Sequence, residues 1–359
     1  MNLKVSAPGR ICLFGEHQDY LGFPVVAAAV DLRATIVSDT RTDRRVKLVL
    51  SDLNETHEWE LDALPEPNPR EYWLSVLHLA AREGWLPTAG WTARVTSAIP
   101  QQAGASSSSA LTAAWCATVA RRAGRSISDE ADREWVAHAT WRAEVEWFGE
   151  PGGKMDQTVC AMGGVRRVHF SPEFKLESLP TPGGAWLLID SHEPKDTLAI
   201  LGRAKHERLA LLEAWGVAVG AEWPTKRPER PTDWNSDAHR LMDATIAIRQ
   251  VSELGGKAVE SMPRNAAFIG EQLQVHHHWL SHGLRVSTSK IDGLLDAALD
   301  AGAWGGKING SGGGGTAFVV VPSECAERVS QVISSMQARA IPIELGASGV
   351  QIDHLFGTC

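Results

Sequence analysis

The apolar positions predict strands and helices interleaved along the chain, with strands at both ends. Leu3 to Val5 and Ile11-Cys12-Leu13-Phe14 are short apolar runs separated by Ala7-Pro8-Gly9-Arg10, which predicts two buried strands joined by a turn. A polar loop, Gly15-Glu16-His17-Gln18-Asp19-Tyr20, precedes the apolar run Phe23–Val30. Ala34–Val37, Val46–Leu50 and Thr56–Leu61 read as successive antiparallel strands, and Pro65–Pro69 as a loop. Tyr72–Arg82 has helical spacing, with Trp73, Val76, Leu77 and Ala80 on one face. A strand at Trp91–Thr96 leads into IPQQAGASSSSALTAAW, where Leu111, Trp115 and Val119 recur every four residues; that predicts a helix entered through serines and closed by Gly124. Glu130–Phe148 reads as a second long helix, ended by Gly149-Glu150-Pro151-Gly152-Gly153.

Beyond Lys154-Met155-Asp156-Gln157, strands are expected at Gly164–Phe170 and Ala185–Asp190, and a helix at Leu198–Trp215. The polar, proline-rich Glu222–Asp237 is expected to be a surface loop. Helices follow at Asp237–Leu254, Pro263–Leu280 and Lys290–Ala301, then the glycine run Gly305–Gly315 and the strand Thr316–Val321. A helix at Glu324–Arg339 and a strand near Val350–Ile352 complete an α+β pattern with no internal repeat. The expected division falls near residues 165–180, giving units 1–170 and 171–359.

At 359 residues the chain exceeds one typical domain, so two domains sharing a cleft are expected. Its 43% hydrophobic and 22% charged residues are ordinary for a globular protein. A net charge of −8 argues against nucleic acid or an anionic membrane as the main partner. No apolar run reaches the roughly 18 residues of a membrane span, and Met1–Gly9 shows no secretory pattern. The five cysteines (12, 116, 160, 325, 359) are scattered without a CxxC pair, which fits reduced thiols in a cytoplasmic enzyme. The 14 tryptophans are read as packing.

The serine stretch is a candidate anion cradle. First-turn amides of a helix lack intrahelical partners, the macrodipole adds about half a positive charge, and Gly104 lets the backbone approach a ligand. A serine N-cap without ligand is the plainer alternative. Three further polar clusters stand out: Arg10 with Glu16, His17, Asp19 and Tyr20; Glu144 with Asp156; and the glycine run. Each also has a structural reading as surface ion pair, solvated helix face or cap. Gly310 to Gly315 formally matches GxGxxG, but Thr316-Ala317-Phe318-Val319-Val320-Val321 after it is strand-like where a dinucleotide fingerprint needs a helix. No GxxxxGK[ST] occurs, Ser287-Thr288-Ser289-Lys290 is a chance SxxK, and His276-His277-His278 with His282 lacks a carboxylate partner.

Together the clusters resemble the GHMP kinase superfamily, specifically its galactokinase-like branch. Ala7 to Tyr20 looks like the galactokinase signature, Pro100 to Ala110 the serine-rich phosphate loop, Gly153-Lys154-Met155-Asp156-Gln157 the segment bearing the catalytic aspartate, and Lys307 to Gly315 the third, glycine-rich motif. The resemblance implies a ribosomal-S5-like N-terminal domain, with a left-handed crossover, and a ferredoxin-like C-terminal domain flanking the site. It implies that Gly104 and Ser106, Ser107, Ser108 and Ser109 cradle ATP phosphates, with Gly310, Gly312 and Gly313 in the glycine-rich motif. Ser108 and Glu144 would be Mg²⁺ ligands, a hydroxyl and a carboxylate that suit a hard cation. Asp156 would take the proton of the acceptor hydroxyl, Arg10 would stabilise the ionised species, and Glu16, His17, Asp19 and Tyr20 would contact the acceptor.

Mevalonate-type kinases usually carry Lys where Arg10 stands and lack the His-x-Asp-Tyr of His17–Tyr20, so the expected acceptor is a sugar phosphorylated at its anomeric hydroxyl. Position 12 is Cys where galactokinases typically have Asn, Ser191 to Thr197 departs from their usual sequence, and the tyrosine expected downstream is missing, which points to an aldose related to galactose. The adenine pocket is poorly matched; Trp73 is its candidate and otherwise belongs to the core. A mevalonate-like kinase and a non-catalytic sugar and ATP sensor are the alternatives, as a monomer or homodimer.

Overall fold

The first forty residues form two long strands where the pattern predicts several short ones. In the computed structural model, which describes residues 2–100, 104–194, 197–220 and 234–355, β1 (Asn2–Phe14) runs straight through the expected turn. The turn is instead a bulge, where the register with β2 (Val25–Thr40) shifts between Pro8 and Arg10. Glycine is required at position 9 because a Cβ there would lie 2.8 Å from the Ala105 carbonyl, which accepts the Arg10 N–H at 3.1 Å. The proline-rich loop expected at Glu222–Asp237 lies largely outside the described residues.

Besides β1, β2 pairs with β6 (Val165–His169) through Val25–Ala28 and with β5 (Trp91–Ser97) through Ala34–Thr40. β3 (Arg45–Leu50) is antiparallel to β4 (Glu55–Glu60), as expected, and is parallel to β5, which stands between it and β2. A parallel pair needs a long crossover, and α1 (Tyr72–Glu83) lies within it. β7 (Lys175–Leu179) pairs with β6, and β12 (Gln351–Leu355) pairs with β1. Both lie beyond residue 170, so this sheet draws strands from either side of the expected division.

On this sheet lie α2 (Ser107–Arg122) and α4 (Met155–Met162), and α3 (Glu130–Trp141) packs against those two helices. α2 is buried on nearly every side, which its run of alanines permits. Trp115 on α2 is wholly buried between Trp73, 5.6 Å away edge-on, and Trp91, 5.7 Å away, so part of the tryptophan content is accounted for by packing. The single helix expected to Phe148 gives way after Trp141 to a π-helical turn, Arg142–Glu146, a geometry common at functional sites.

The second sheet has the order β11-β8-β10-β9 and is antiparallel, from β8 (Ala185–Asp190), β9 (Gly305–Ile308), β10 (Thr316–Val321) and β11 (Arg339–Ile343). It is accompanied by α5 (Thr197–Trp215), α6 (Ser236–Ser261), α7 (Ala266–His278), α8 (Ser289–Asp300) and α9 (Ala326–Ser335). α9 stops at Ser335 and Arg339 begins β11, where a helix through Arg339 was expected. α6 continues past Leu254 because Gly255 admits the Phe14 ring, which a Cβ would approach to 2.3 Å. That contact ties α6 to the end of β1, and the Cys12 N–H, donating to Asn309 Oδ1 at 3.0 Å, sets the glycine loop after β9 beside the end of β1.

Candidate active site

The loops after β1 and β9, the start of α2 and the start of α4 meet around a cavity of about 550 Å³. Arg10, at the bulge of β1, is 3% exposed and faces Asp156 in the first turn of α4. The guanidinium grips that carboxylate with both prongs, Nε to Oδ1 at 2.9 Å and Nη2 to Oδ2 at 2.7 Å. Its third donor, Nη1, reaches the Gly104 carbonyl at 2.7 Å. Burial opposes the charge of Arg10, but Asp156 and then Glu16 outweigh it and hold its pKa above the ordinary value.

The serine stretch is not a plain helix cap. Ser106 stands at the N-cap in left-handed backbone (φ 58°) without a capping bond, and its hydroxyl donates to Asp156 Oδ2 at 2.7 Å. Gly104, also left-handed (φ 86°), directs its carbonyl at Arg10 and at Asn309 Nδ2, 3.0 Å away. Gly104, Ser106, Ser107 and Ser108 line the cavity. Ser109 does not: it turns inward, donating to Glu144 Oε2 at 2.7 Å. The exposed Ser108 is the cavity-facing hydroxyl, whereas the direct bond to Glu144 belongs to Ser109 because the helix phase points that residue at the π-helical turn.

Glu144 is 3% exposed and also accepts from Gln157 Nε2 at 2.8 Å and Thr112 Oγ1 at 3.2 Å. Gln157 and Thr112, both on the cavity wall, were missed in the sequence; Thr112 lies three residues from Ser109 on one helix face, and Gln157 follows Asp156. Burial pushes the Glu144 carboxyl up to about 7 against the hydrogen bonds from Gln157 and Ser109. A carboxyl raised in the folded state is protonated there while the unfolded chain is already ionised, so its contribution falls as pH rises from the unfolded value of 4.5 to about 7. Melting curves of ligand-free Glu144→Gln and wild type should therefore diverge across that window, the variant gaining relative to wild type as pH rises; a constant difference would contradict the assignment.

The polar loop after β1 divides its roles. Asp19 and His17 line the cavity. Burial, reinforced by the charge of Asp156, raises the Asp19 carboxyl to about 6. Its side chain packs on Gly153, where a Cβ would lie 1.8 Å from Oδ2. Gly153→Ala should thus swing Asp19 aside and raise the acceptor KM several-fold with the ATP KM unchanged; equal changes in both would refute this placement. Glu16 lines the cavity too, but its Oε2 accepts from Lys307 Nζ at 2.8 Å and from the Gly310 N–H at 3.0 Å. Tyr20 is not on the wall; its hydroxyl meets His17 Nδ1 at 3.2 Å. Gly310 lines the cavity and touches the serine loop, a Cβ there lying 2.8 Å from the Gly104 carbonyl. Gly312 and Gly313 pack away from the cavity, against Val286 and Ile200. The wall also carries Leu50, Leu53, Trp73, Val95 and Leu111 together with Asp52, Arg70 and Ser97, so Trp73 serves both cavity and core.

Residues 3–39 match the galactokinase galactose-binding signature, residues 72–164 the N-terminal domain of GHMP kinases, and residues 259–339 their C-terminal domain. The chain belongs to the GHMP kinase superfamily. It is 26% identical to the mevalonate kinase of Thermococcus gammatolerans over 99% of each chain, and 27% identical to the galactokinase of Thermococcus kodakarensis over 95% of each. Lactococcus lactis galactokinase, crystallised with galactose, shares the fold, with a TM-score of 0.80 at 20% identity over 98% of this chain and 95% of that one. GHMP kinases use ATP, which makes this GHMP kinase an ATP-dependent phosphotransferase. Among the described residues no helix is long and apolar enough to cross a membrane.

Proposed function

We propose that this GHMP kinase transfers the γ-phosphoryl group of ATP to the anomeric hydroxyl of an aldose. The observation that carries the reading is the Asp156 carboxylate, held by Arg10 and Ser106 on the cavity wall between the serine helix and the Glu16–Tyr20 loop. Asp156 accepts the proton of the acceptor hydroxyl, and the buried Arg10 stabilises the oxygen as it becomes anionic. The amides of Ser107 to Ser109, at the start of α2, receive phosphate oxygens, and the apolar side chains Leu53, Trp73 and Leu111 of the wall take the base. Asp19 and the free oxygen of Glu16 accept from sugar hydroxyls. The galactokinase signature over residues 3–39 supports a sugar over a mevalonate-type alcohol.

The oxygen-rich setting of Glu144 suits Mg²⁺, with Ser108 or Ser109 as the hydroxyl ligand; the buried Oε1 of Gln157, which has no hydrogen-bond partner among the described residues, fits the same role. When bound, the ion would neutralise phosphate charge during transfer. Glu144→Gln should lower activity and raise the Mg²⁺ concentration needed; an unchanged requirement would remove Glu144 as a ligand. Glu146 is a poor substitute, since it pairs with Arg142 on the surface at 2.9 Å. The deciding assay is ADP release over a panel of aldoses, amino sugars and mevalonate. Turnover on mevalonate alone would replace the sugar reading, and ATP binding without any turnover would identify a sensor.

A further inference from the structure

The loop after β1 is supported by a residue that no motif marks. Arg208, on α5, has no exposed surface. Nε donates to Thr245 Oγ1 at 3.2 Å and Nη1 to the His17 carbonyl, while Nη2 has no hydrogen-bond partner among the described residues. Burying a cation among neutral oxygens is unfavourable by several kcal/mol, so its position calls for a local reason. Around it, Leu21, Phe23 and Leu212 form a small apolar cluster that presses α5 onto the turn at Asp19–Leu21. The carbonyl Arg208 holds belongs to a residue in left-handed backbone, His17 at φ 62°, a conformation uncommon outside glycine.

Both ring nitrogens of His17 are occupied. Nε2 lies 3.2 Å from the Ser311 carbonyl, which can only accept, so Nε2 carries the proton. Nδ1 then accepts from the Tyr20 hydroxyl at 3.2 Å. Arg208 is an electrostatic neighbour of that hydroxyl, and its direct hold on this turn is the His17 carbonyl. Burial, then the charge of Arg208, pushes the imidazole down to about 3, so the ring is neutral at physiological pH.

We propose that Arg208 is a positioning residue for the acceptor: by holding the His17 carbonyl it keeps the His17 ring between Tyr20 and Ser311, so that its Nε2–H ties the acceptor loop to the glycine-rich loop at Ser311. This rests on the reading of the Glu16–Tyr20 loop as the acceptor's wall. The glycine-rich loop meets the serine loop at Asn309 and Gly310 rather than at Ser311, and the serine loop is also held by Arg10 and Asp156, so the coupling acts on the acceptor more than on ATP.

The test uses the full chain with Tyr20→Phe, Arg208→Lys and Arg208→Ala. ¹⁵N NMR of the ligand-free protein, with the His17 signals assigned by their loss in His17→Gln, should show one Nε2–H tautomer in wild type and a mixture in Tyr20→Phe and Arg208→Lys. In kinetics, Tyr20→Phe should raise the acceptor KM about tenfold, the loss of roughly one directed hydrogen bond, with the ATP KM within about twofold of wild type. Guanidinium ion at sub-denaturing concentration should restore Arg208→Ala toward wild type. If the His17 spectrum is the same in wild type, Tyr20→Phe and Arg208→Lys, the proposal is wrong whatever the acceptor. It is equally wrong if acceptor and ATP KM values move together. Failure of every aldose to turn over defeats the proposed function alone, because the spectrum still decides this one.

Discussion

Asp156→Asn should reduce ADP release by about 10²- to 10⁴-fold, the range for loss of a positioned general base. Asparagine keeps the shape of the side chain and an oxygen for the Ser106 hydroxyl, but it cannot take the acceptor's proton at neutral pH. The phosphate-binding start of α2 is untouched, so nucleotide binding, measured by titration calorimetry, should survive within a few-fold. A second consequence follows from Arg10. Its guanidinium is 3% exposed and loses the bidentate counter-charge it now has at 2.7 and 2.9 Å. Breaking a fully buried pair costs about 3–5 kcal/mol; here the Asp156 side chain is 32% exposed, so water screens part of the charge and the loss should be smaller. The rate must therefore be read well below the variant's own melting temperature. Activity within tenfold of wild type under those conditions would remove Asp156 as the base.

What the chain discloses in one dimension ends where distant segments decide geometry. β8 and β10 begin and end where their apolar runs predict, because a buried central strand needs little beyond a continuous apolar segment bounded by polar residues. Arg10 and Asp156 stood out as the lone charges of their type in short motifs, and the structure pairs them; Glu144 stood two residues from Glu146, and burial separates the two. The bulge at Gly9 was not, since its cause is the carbonyl of Ala105, nearly a hundred residues away. Four serines in a row conceal which one meets Glu144: successive helix residues rotate by about 100°, so the answer depends on a helix phase set by packing. Tyr20 was placed on the acceptor by its motif, yet it sits three residues from His17 in a tight turn and reaches the ring instead. The partner of Glu16 is 291 residues away, and no local pattern points to it.

Lys307→Met should lower the melting temperature more than any other single change near the site outside Arg10 and Asp156. Lys307 is wholly buried and Glu16 is 2% exposed; the ammonium lies 2.8 Å from Glu16 Oε2 and 2.8 Å from the Ile308 carbonyl, with the Phe318 ring 5.1 Å away. The methionine fits the volume but leaves a buried carboxylate with the Gly310 N–H as its remaining partner, an imbalance of about 3–5 kcal/mol, which in a chain of this size is a fall of roughly 4–7 °C. Glu16→Gln added to Lys307→Met removes the stranded charge while keeping an acceptor for Gly310, so the double variant should regain most of the loss. A double-mutant cycle then isolates the coupling between the two loops. A fall of under about 2 °C for Lys307→Met alone would show that the pair does not hold the loops together. The recovered double variant also separates fold from chemistry. If it is stable yet its acceptor KM is raised at unchanged ATP KM, the charge on Glu16 is required by the acceptor itself; if it turns over as wild type does, the pair serves only to join the polar loop after β1 to the glycine loop.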